Sequence, residues 1–346
     1  MAVLLRHRTR TLLAGILVAL TLSTLVARPA AAQPTLNRVD AAAGWLARQM
    51  VDGERFEVVF DGVAYPDQGL TLDAIFAFAA AKVADTNATN ATTWLAQPAV
   101  TGGYIGDGTE AYVGATAKLA LGAQVRGLNP AAFGGVDLIA RLNGLMAPGG
   151  RFTDRSAFGD FSNMFSQSFA VLALDRAGGA PTAAISFLAG SHCPDGGFPL
   201  QFAQPTCVSD VDATALAIQA LLSADRPLAA HAAARWVVSV QGDDGSFAAD
   251  GVANANSTGL AAQALAAAGR AVPWLHARQY LTSLQQTCTA PAADRGAIAY
   301  TDGGLDPATA NRATAQTVPG LAGVGFATLS AAGSHPAAPT LACPHR

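Results

Sequence analysis

Two kinds of apolar stretch alternate along the chain. Stretches with one polar face, each centred on a large residue at a similar offset (Trp45, Trp94, Ile139, Phe187, Trp236 and Tyr280), are followed by stretches apolar on nearly every side, over 70–81, 114–122, 166–174, 214–222, 258–268 and 314–322. A helix with a polar face sits at the surface, whereas one with none must be buried all round. Between the members of each pair lies a Gly-x-Phe-like turn, marked by Phe56, Tyr104, Phe152, Phe198, Phe247 and Ile298, at steps of 48, 48, 46, 49 and 51 residues. In the clearest copy Gln241-Gly242-Asp243-Asp244-Gly245-Ser246-Phe247 leads to Asn254-Ala255-Asn256-Ser257-Thr258 and an Ala/Leu/Gln run.

The period predicts an all-α fold, an α6/α6 toroid: two concentric rings of six helices built from six repeats of about 48 residues, over 33–330. An open solenoid of helix pairs needs polar caps at both ends, whereas six units bury their ends against each other. Glycine in each turn permits positive φ, and the aromatic after it wedges between outer helices. Pro319 interrupts the last inner helix. Residues 87–90 and Gly178-Gly179 are expected to be inter-helix loops, and 331–346 a Pro/Ala-rich C-terminal tail.

Residues 1–32 read as a secretory signal: Arg6, Arg8 and Arg10 precede an apolar run over 12–26, and Ala30-Ala31-Ala32 offers a cleavage site. The apolar run is shorter than the ~20 residues a bilayer span needs, so export without stable membrane insertion is expected. Net charge is −3, and −7 once the four arginines before position 33 are set aside. With only Lys82 and Lys118 as lysines, no basic stripe is available to neutralise phosphates, which argues against nucleic acid. The chain is 51% hydrophobic and 13% charged, enough apolar material for a large core. Heavy use of Ala, Gly and Arg suggests a GC-rich bacterial genome.

Four cysteines in an exported chain allow three pairings. The local one is expected, Cys193 with Cys207 inside repeat four and Cys288 with Cys343 tying the tail to repeat six. Without C-x2-C or H-x3-H spacing, neither a metal site nor a cofactor is expected.

The run 241–247 resembles the Q-x3-G-x-W/F core of the repeat shared by squalene and oxidosqualene cyclases and the β subunits of protein prenyltransferases, and Asp195-Gly196-Gly197-Phe198 resembles the same element. Asn256-Ser257-Thr258-Gly259-Leu260 onward is similar to inner-helix segments of cobalamin carriers. The resemblance implies an α6/α6 toroid. It also implies a catalytic reading for Asp210-Val211-Asp212-Ala213, which follows the cyclase D-x-D-D acid except at Ala213, with Asp212 as the proton donor. Asn254 and Asn256 occupy the equivalent offsets in repeat five, so a helix-capping role for Asp212 competes with acid chemistry. The zinc set of prenyltransferases has no match. Inner helices four to six carry no aromatic residue to stabilise a cation.

Acids gather where the inner helices begin, and a polar funnel rim is expected from Asp67, Glu110, Asp160, Asp210, Asp212, Asn256 and Asn311. Two carboxylates facing each other across the ring are what a glycosidase requires, and helix-terminal capping competes with that reading. The leading expectation is a secreted, monomeric, non-catalytic toroid that binds a small, largely apolar molecule, an isoprenoid or else a corrinoid, in its central funnel. The alternatives are a terpene-cyclase-like enzyme using Asp212 as general acid, and a structural or adhesive cell-envelope protein.

Overall fold

The computed structural model describes residues 33–344, so the signal segment expected over 1–32 lies outside the described residues. Six helices line the centre: α2 (Gln68–Ala81), α5 (Val113–Val125), α7 (Met164–Arg176), α9 (Val211–Ser223), α11 (Ala255–Ala267) and α13 (Pro307–Ala322). Each covers the apolar stretch predicted for it, α11 stopping one residue short at Ala267, and begins one to seven residues earlier. Neighbours pack in the order α2, α5, α7, α9, α11, α13, and α13 returns to pack on α2, so the inner layer closes. Pro319 lies inside α13 without ending it.

The outer layer consists of α1 (Arg38–Arg48), α3 (Asp85–Leu95), α4 (Pro98–Ile105), α6 (Leu138–Asn143), α8 (Thr182–Gly190), α10 (Pro227–Ser239) and α12 (Ala271–Ser283). α1 packs on both α13 and α2, α6 on α5 and α7, α8 on α7 and α9, α10 on α9 and α11, and α12 on α11 and α13. This layer departs from six equal helices. Two of them, α3 and α4, share the place between α2 and α5, while α6 has only six residues. Residues 87–90 are part of α3 and not a loop. The Thr-Asn-Ala-Thr-Asn wording reads as turn chemistry, but Ala88 and Ala91 are buried and anchor a helical face. Gly178 and Gly179 do form a loop, both at positive φ.

The turns explain the repeat. Phe56, Phe152, Phe198, Phe247 and Ile298 are each 2% exposed or less. Their backbone N–H groups, buried with them, must find an acceptor. Those of Phe56, Phe198, Phe247 and Ile298 donate to the hydroxyls of Thr71, Thr214, Thr258 and Thr314 on the inner helices, at 3.0, 2.8, 2.9 and 2.9 Å. Phe152 donates to Gln167 Oε1 at 2.9 Å. The second repeat corrects the predicted marker: Tyr104 lies half-buried on α4, and the fully buried residue is Ile105.

Two residues before each marker in repeats three, five and six, a glycine at positive φ lies against the backbone of the next outer helix. A Cβ on Gly150 would fall 2.0 Å from the Ala183 carbonyl oxygen, on Gly245 2.3 Å from that of His276, and on Gly296 2.5 Å from that of Ala41. The last contact joins repeat six to repeat one. Trp45 Nε1 adds to the seam by donating to the Ala293 carbonyl at 2.9 Å, and Gln285 Nε2 donates to that of Arg38 at 2.8 Å.

Short strands decorate the ring. The hairpin β2 (Phe56–Phe60) and β3 (Val63–Asp67) leads into α2, β4 (Phe198–Pro199) pairs with β5 (Ser209–Asp210), and β6 (Ala248–Ala249) with β7 (Val252–Ala253). The tail strand β8 (Thr340–Leu341) runs parallel to β1 (Pro34–Thr35) along α1. Both disulfides have the expected pairing, Cys193–Cys207 and Cys288–Cys343, with Cα atoms 5.5 and 5.6 Å apart. The second fixes the tail beside repeat six, and two oxidised pairs fit an extracellular environment. No helix among the described residues is long and apolar enough to cross a membrane.

Substitution separates the two duties of the turn glycines. Gly251→Ala, at φ +80° with nothing near its Cβ, is expected to lose about 1 kcal/mol for the left-handed backbone alone. Gly245→Ala adds a collision with the α12 backbone and is expected to lose roughly 3 kcal/mol by urea denaturation. Equal losses would show that outer-helix contact does not constrain the turn.

Candidate functional site

A cavity of about 190 Å³ lies at the centre of the ring, lined by residues from all six inner helices. Counting along each helix from the turn-binding position explains which side chains reach it. That position is held by Thr71, Gln167, Thr214, Thr258 and Thr314; its counterpart by register in α5 is Thr116, whose hydroxyl donates to the Tyr112 carbonyl at 2.6 Å. Two residues further on stand Asp73, Lys118, Phe169, Leu216, Leu260 and Gln316, and every one of them lines the cavity. Two residues before it stand Phe165, Asp212 and Asn256, one helical turn away on the same face.

The closed end is apolar. Phe326, in the loop after α13, meets Phe76 and Phe169 edge to face at centroid distances of 5.2 and 5.6 Å. Behind it, Gln219 Oε1 accepts from the Phe326 N–H at 2.9 Å, Gln263 Nε2 donates to the Val324 carbonyl at 2.8 Å, and Arg176 holds the Phe326 carbonyl at 2.7 Å. These bonds satisfy the buried polar groups beneath the aromatic floor. Aromatic lining therefore exists, contrary to the expectation drawn from inner helices four to six: α2, α7 and the loop after α13 supply it.

The polar part divides in two. On the α2 side Lys118 Nζ meets Asp73 Oδ1 at 2.6 Å and donates to the Gly69 carbonyl at 3.0 Å, while Gln316 Nε2 donates to Asp73 Oδ2 at 3.2 Å. Arg312 bridges from Asp67 at 2.8 Å toward Asp73 at 3.9 Å. Tyr104 stands beside this network, and burial first, then the charges of Asp73 and Asp67, push its phenol up. On the opposite side, Asp212 Oδ1 and Asn256 Oδ1 are buried and have no hydrogen-bond partner. Burial pushes the Asp212 carboxyl up to about 6, opposed by the Ser257 hydroxyl and reinforced by the charge of Asp210.

The expected rim residues have several fates. Asp210 is the helix cap, accepting from the Ala213 N–H at 2.7 Å, and Asn254 does the same in repeat five through Ser257 at 2.9 Å. The capping of α9 thus belongs to Asp210, two residues before Asp212. Asp67 caps α2 through the Leu70 N–H at 2.7 Å. Glu110 and Asp160 hold loops in place and are not among the cavity-lining residues. Glu110 accepts from the Ala157 N–H at 2.8 Å, which with Ser156 holds its carboxyl low. Asp160 binds Arg151 at 2.8 Å and two backbone N–H groups. Asn311 does not line the cavity, and the helical register puts its neighbour Arg312 toward the mouth instead. Sequence reading missed Asp73, Lys118 and Gln316. The turn-binding Thr register would have found them, since they recur at one offset from it.

No protein-family model matches the chain, and no curated protein matches it. Among solved structures, it is similar to a protein from Actinoplanes at 15% identity and TM-score 0.61, over 82% of this chain and 97% of that one. It is similar to the type II terpene cyclase MstE from Scytonema, bound to geranylgeranyl dihydroxybenzoate, at 13% identity and TM-score 0.58, over 83% and 96%. The unsaturated glucuronyl hydrolase of Bacillus sp. GL1, responsible for degradation of glycosaminoglycan, matches at 12% identity and TM-score 0.54, over 82% and 94%. The likeness is one of fold, the α/α toroid.

The Asp212 assignment makes a pH prediction. Unfolded, this carboxyl keeps its proton only below about 3.8; folded, it keeps it up to about 6. Its folded value is raised, so it leaves stability untouched in acid and removes about 1.4 kcal/mol per pH unit across that window. Asp212→Asn abolishes this loss. Urea denaturation is expected to show the variant gaining about 3 kcal/mol on the wild type between pH ~3.5 and pH ~7; a pH-independent difference contradicts the buried, unpartnered placement.

Proposed function

We propose that this chain is a secreted, non-catalytic toroid that holds one small, largely apolar molecule in its central cavity. The supporting observation is an aromatic-floored cavity reached by all six inner helices, with two unpartnered oxygens, on Asp212 and Asn256, as the available anchors. Apolar walls with few placed polar groups are the usual layout of a small-molecule site.

Size narrows the ligand. An engineered cavity of about 150 Å³ holds benzene in another protein, and the present one, about 190 Å³, is only slightly larger. It suits a single ring or a short isoprenoid. A corrinoid is far too large to be enclosed, and a long isoprenoid enters by one end only. That the Scytonema cyclase is bound to a geranylgeranyl compound is consistent with an isoprenoid in a toroid of this kind. Export rests on the basic and apolar segment before position 33 and on the two disulfides.

A second reading, a terpene-cyclase-like enzyme, is favoured by one observation: Asp212 titrates near 6 beside phenyl rings. A carboxyl still partly protonated near neutrality can serve as a general acid. Asp73, its counterpart across the ring, is tied to Lys118 and Gln316.

Native mass spectrometry of residues 33–346 after incubation with a lipid and small-molecule extract of a GC-rich bacterium tests the binding reading. A discrete adduct is expected, and Leu260→Trp, which fills the cavity, is expected to lose it while keeping its helical circular dichroism. An adduct that survives Leu260→Trp would place binding elsewhere. Conversion of the ligand to a product of altered structure, abolished by Asp212→Asn, would replace the carrier reading with the enzymatic one.

A further inference from the structure

The charges around the cavity do not balance. Asp73 is neutralised by Lys118 at 2.6 Å, and Asp67 at the mouth by Arg312 at 2.8 Å. Asp212 has no cationic partner among these residues. Its neighbour across the α9–α11 groove is Asn256, which offers a second unpartnered oxygen, and its surroundings on the α7 side are Phe165 and Phe169. Ser257, a further polar neighbour, accepts from Asn254 Nδ2 at 3.2 Å and leaves one O–H to offer Asp212, which supplies no positive charge.

Buried carboxylates are retained where something pairs with them. Asp212 sits two residues into α9, where the helix dipole favours negative charge, so the local backbone supports the ionised form. Two buried oxygens without partners face one space, and one belongs to a carboxylate with no cation beside it, which calls for a ligand that brings donors and positive charge. Phenyl rings around the same space favour a cation over a neutral donor, because their faces attract positive charge once water is displaced. An anion or a carboxylic acid meets the opposite arrangement.

We propose that the cavity selects an organic ammonium: a primary or secondary amine on a hydrocarbon body of about one ring, its N–H groups on Asp212 and Asn256 and its hydrocarbon among Phe169, Leu216, Leu260 and Phe326. This assignment rests on the small-molecule reading of the cavity and names the class of molecule it takes.

Calorimetric titration of residues 33–346 with cyclohexylmethylamine, cyclohexylmethanol and cyclohexanecarboxylate, three bodies of one shape, separates the two claims. Charge-assisted hydrogen bonds to Asp212 are expected to give the amine at least about a tenfold tighter Kd than the alcohol, with the carboxylate weakest. In Asp212→Asn, an isosteric variant whose fold is checked by circular dichroism, the ratio of amine to alcohol is expected to fall to about one. Equal affinities in the wild type, or an amine preference that survives Asp212→Asn, overturns the ammonium assignment while leaving the cavity a small-molecule site. Failure of all three compounds to bind overturns both.

Discussion

Helices with no polar face cannot end in water, and this constraint governs the molecule. α2, α5, α7, α9, α11 and α13 bury most of their side chains, and a row of such helices is stable only if the last covers the first. The closing seam is correspondingly well made. α13 packs on α2, the Gly296 backbone touches the Ala41 carbonyl, and Trp45 reaches across to Ala293. The chain's last residues then run along α1 and are held by Cys288–Cys343. Closure also creates the site, because a ring of helices joined at fixed spacing encloses a central space that its own side chains must fill or leave open.

What the ring leaves open follows from small differences within the repeat. The turn fixes five of the six inner helices, all but α5, through one hydrogen bond, from the marker N–H to a Thr hydroxyl or to Gln167. This sets the rotation of the helix, and rotation decides which residues face inward. The central space survives because Leu216 and Leu260 on one side stand opposite Asp73 and Lys118, which are held together by their own ion pair.

Much of the fold was legible because it rests on periodicity. Apolar runs at a 48-residue spacing specify buried helices whatever the identity of each residue, and the four cysteines paired locally as their positions suggested. Legibility failed where tertiary contact overrode local wording. Residues 87–90 read as a turn, yet Ala88 and Ala91 are needed against α2, and the helix forms. Tyr104 gave way to Ile105 because α4 extends the second repeat. The site was harder to read than the fold. Acids near helix starts look alike in sequence, and only the register of the inner helix separates Asp210, a cap, from Asp212, an inward-facing carboxyl. Asn311 was one position away from the residue that faces the mouth. Asp73 and Lys118 stand two residues past Thr71 and Thr116, an offset that marks the cavity only once the threonine positions are seen to set the inward face of each helix.

The most direct test of the central claim, that the closed ring keeps an accessible cavity with an apolar floor, is diffraction from a crystal pressurised with xenon, which occupies apolar cavities. The account predicts a xenon peak among Phe76, Phe169, Leu216 and Phe326. Density showing Leu216 packed directly against Phe76 and Phe169 across the centre, with no xenon between them, would contradict it.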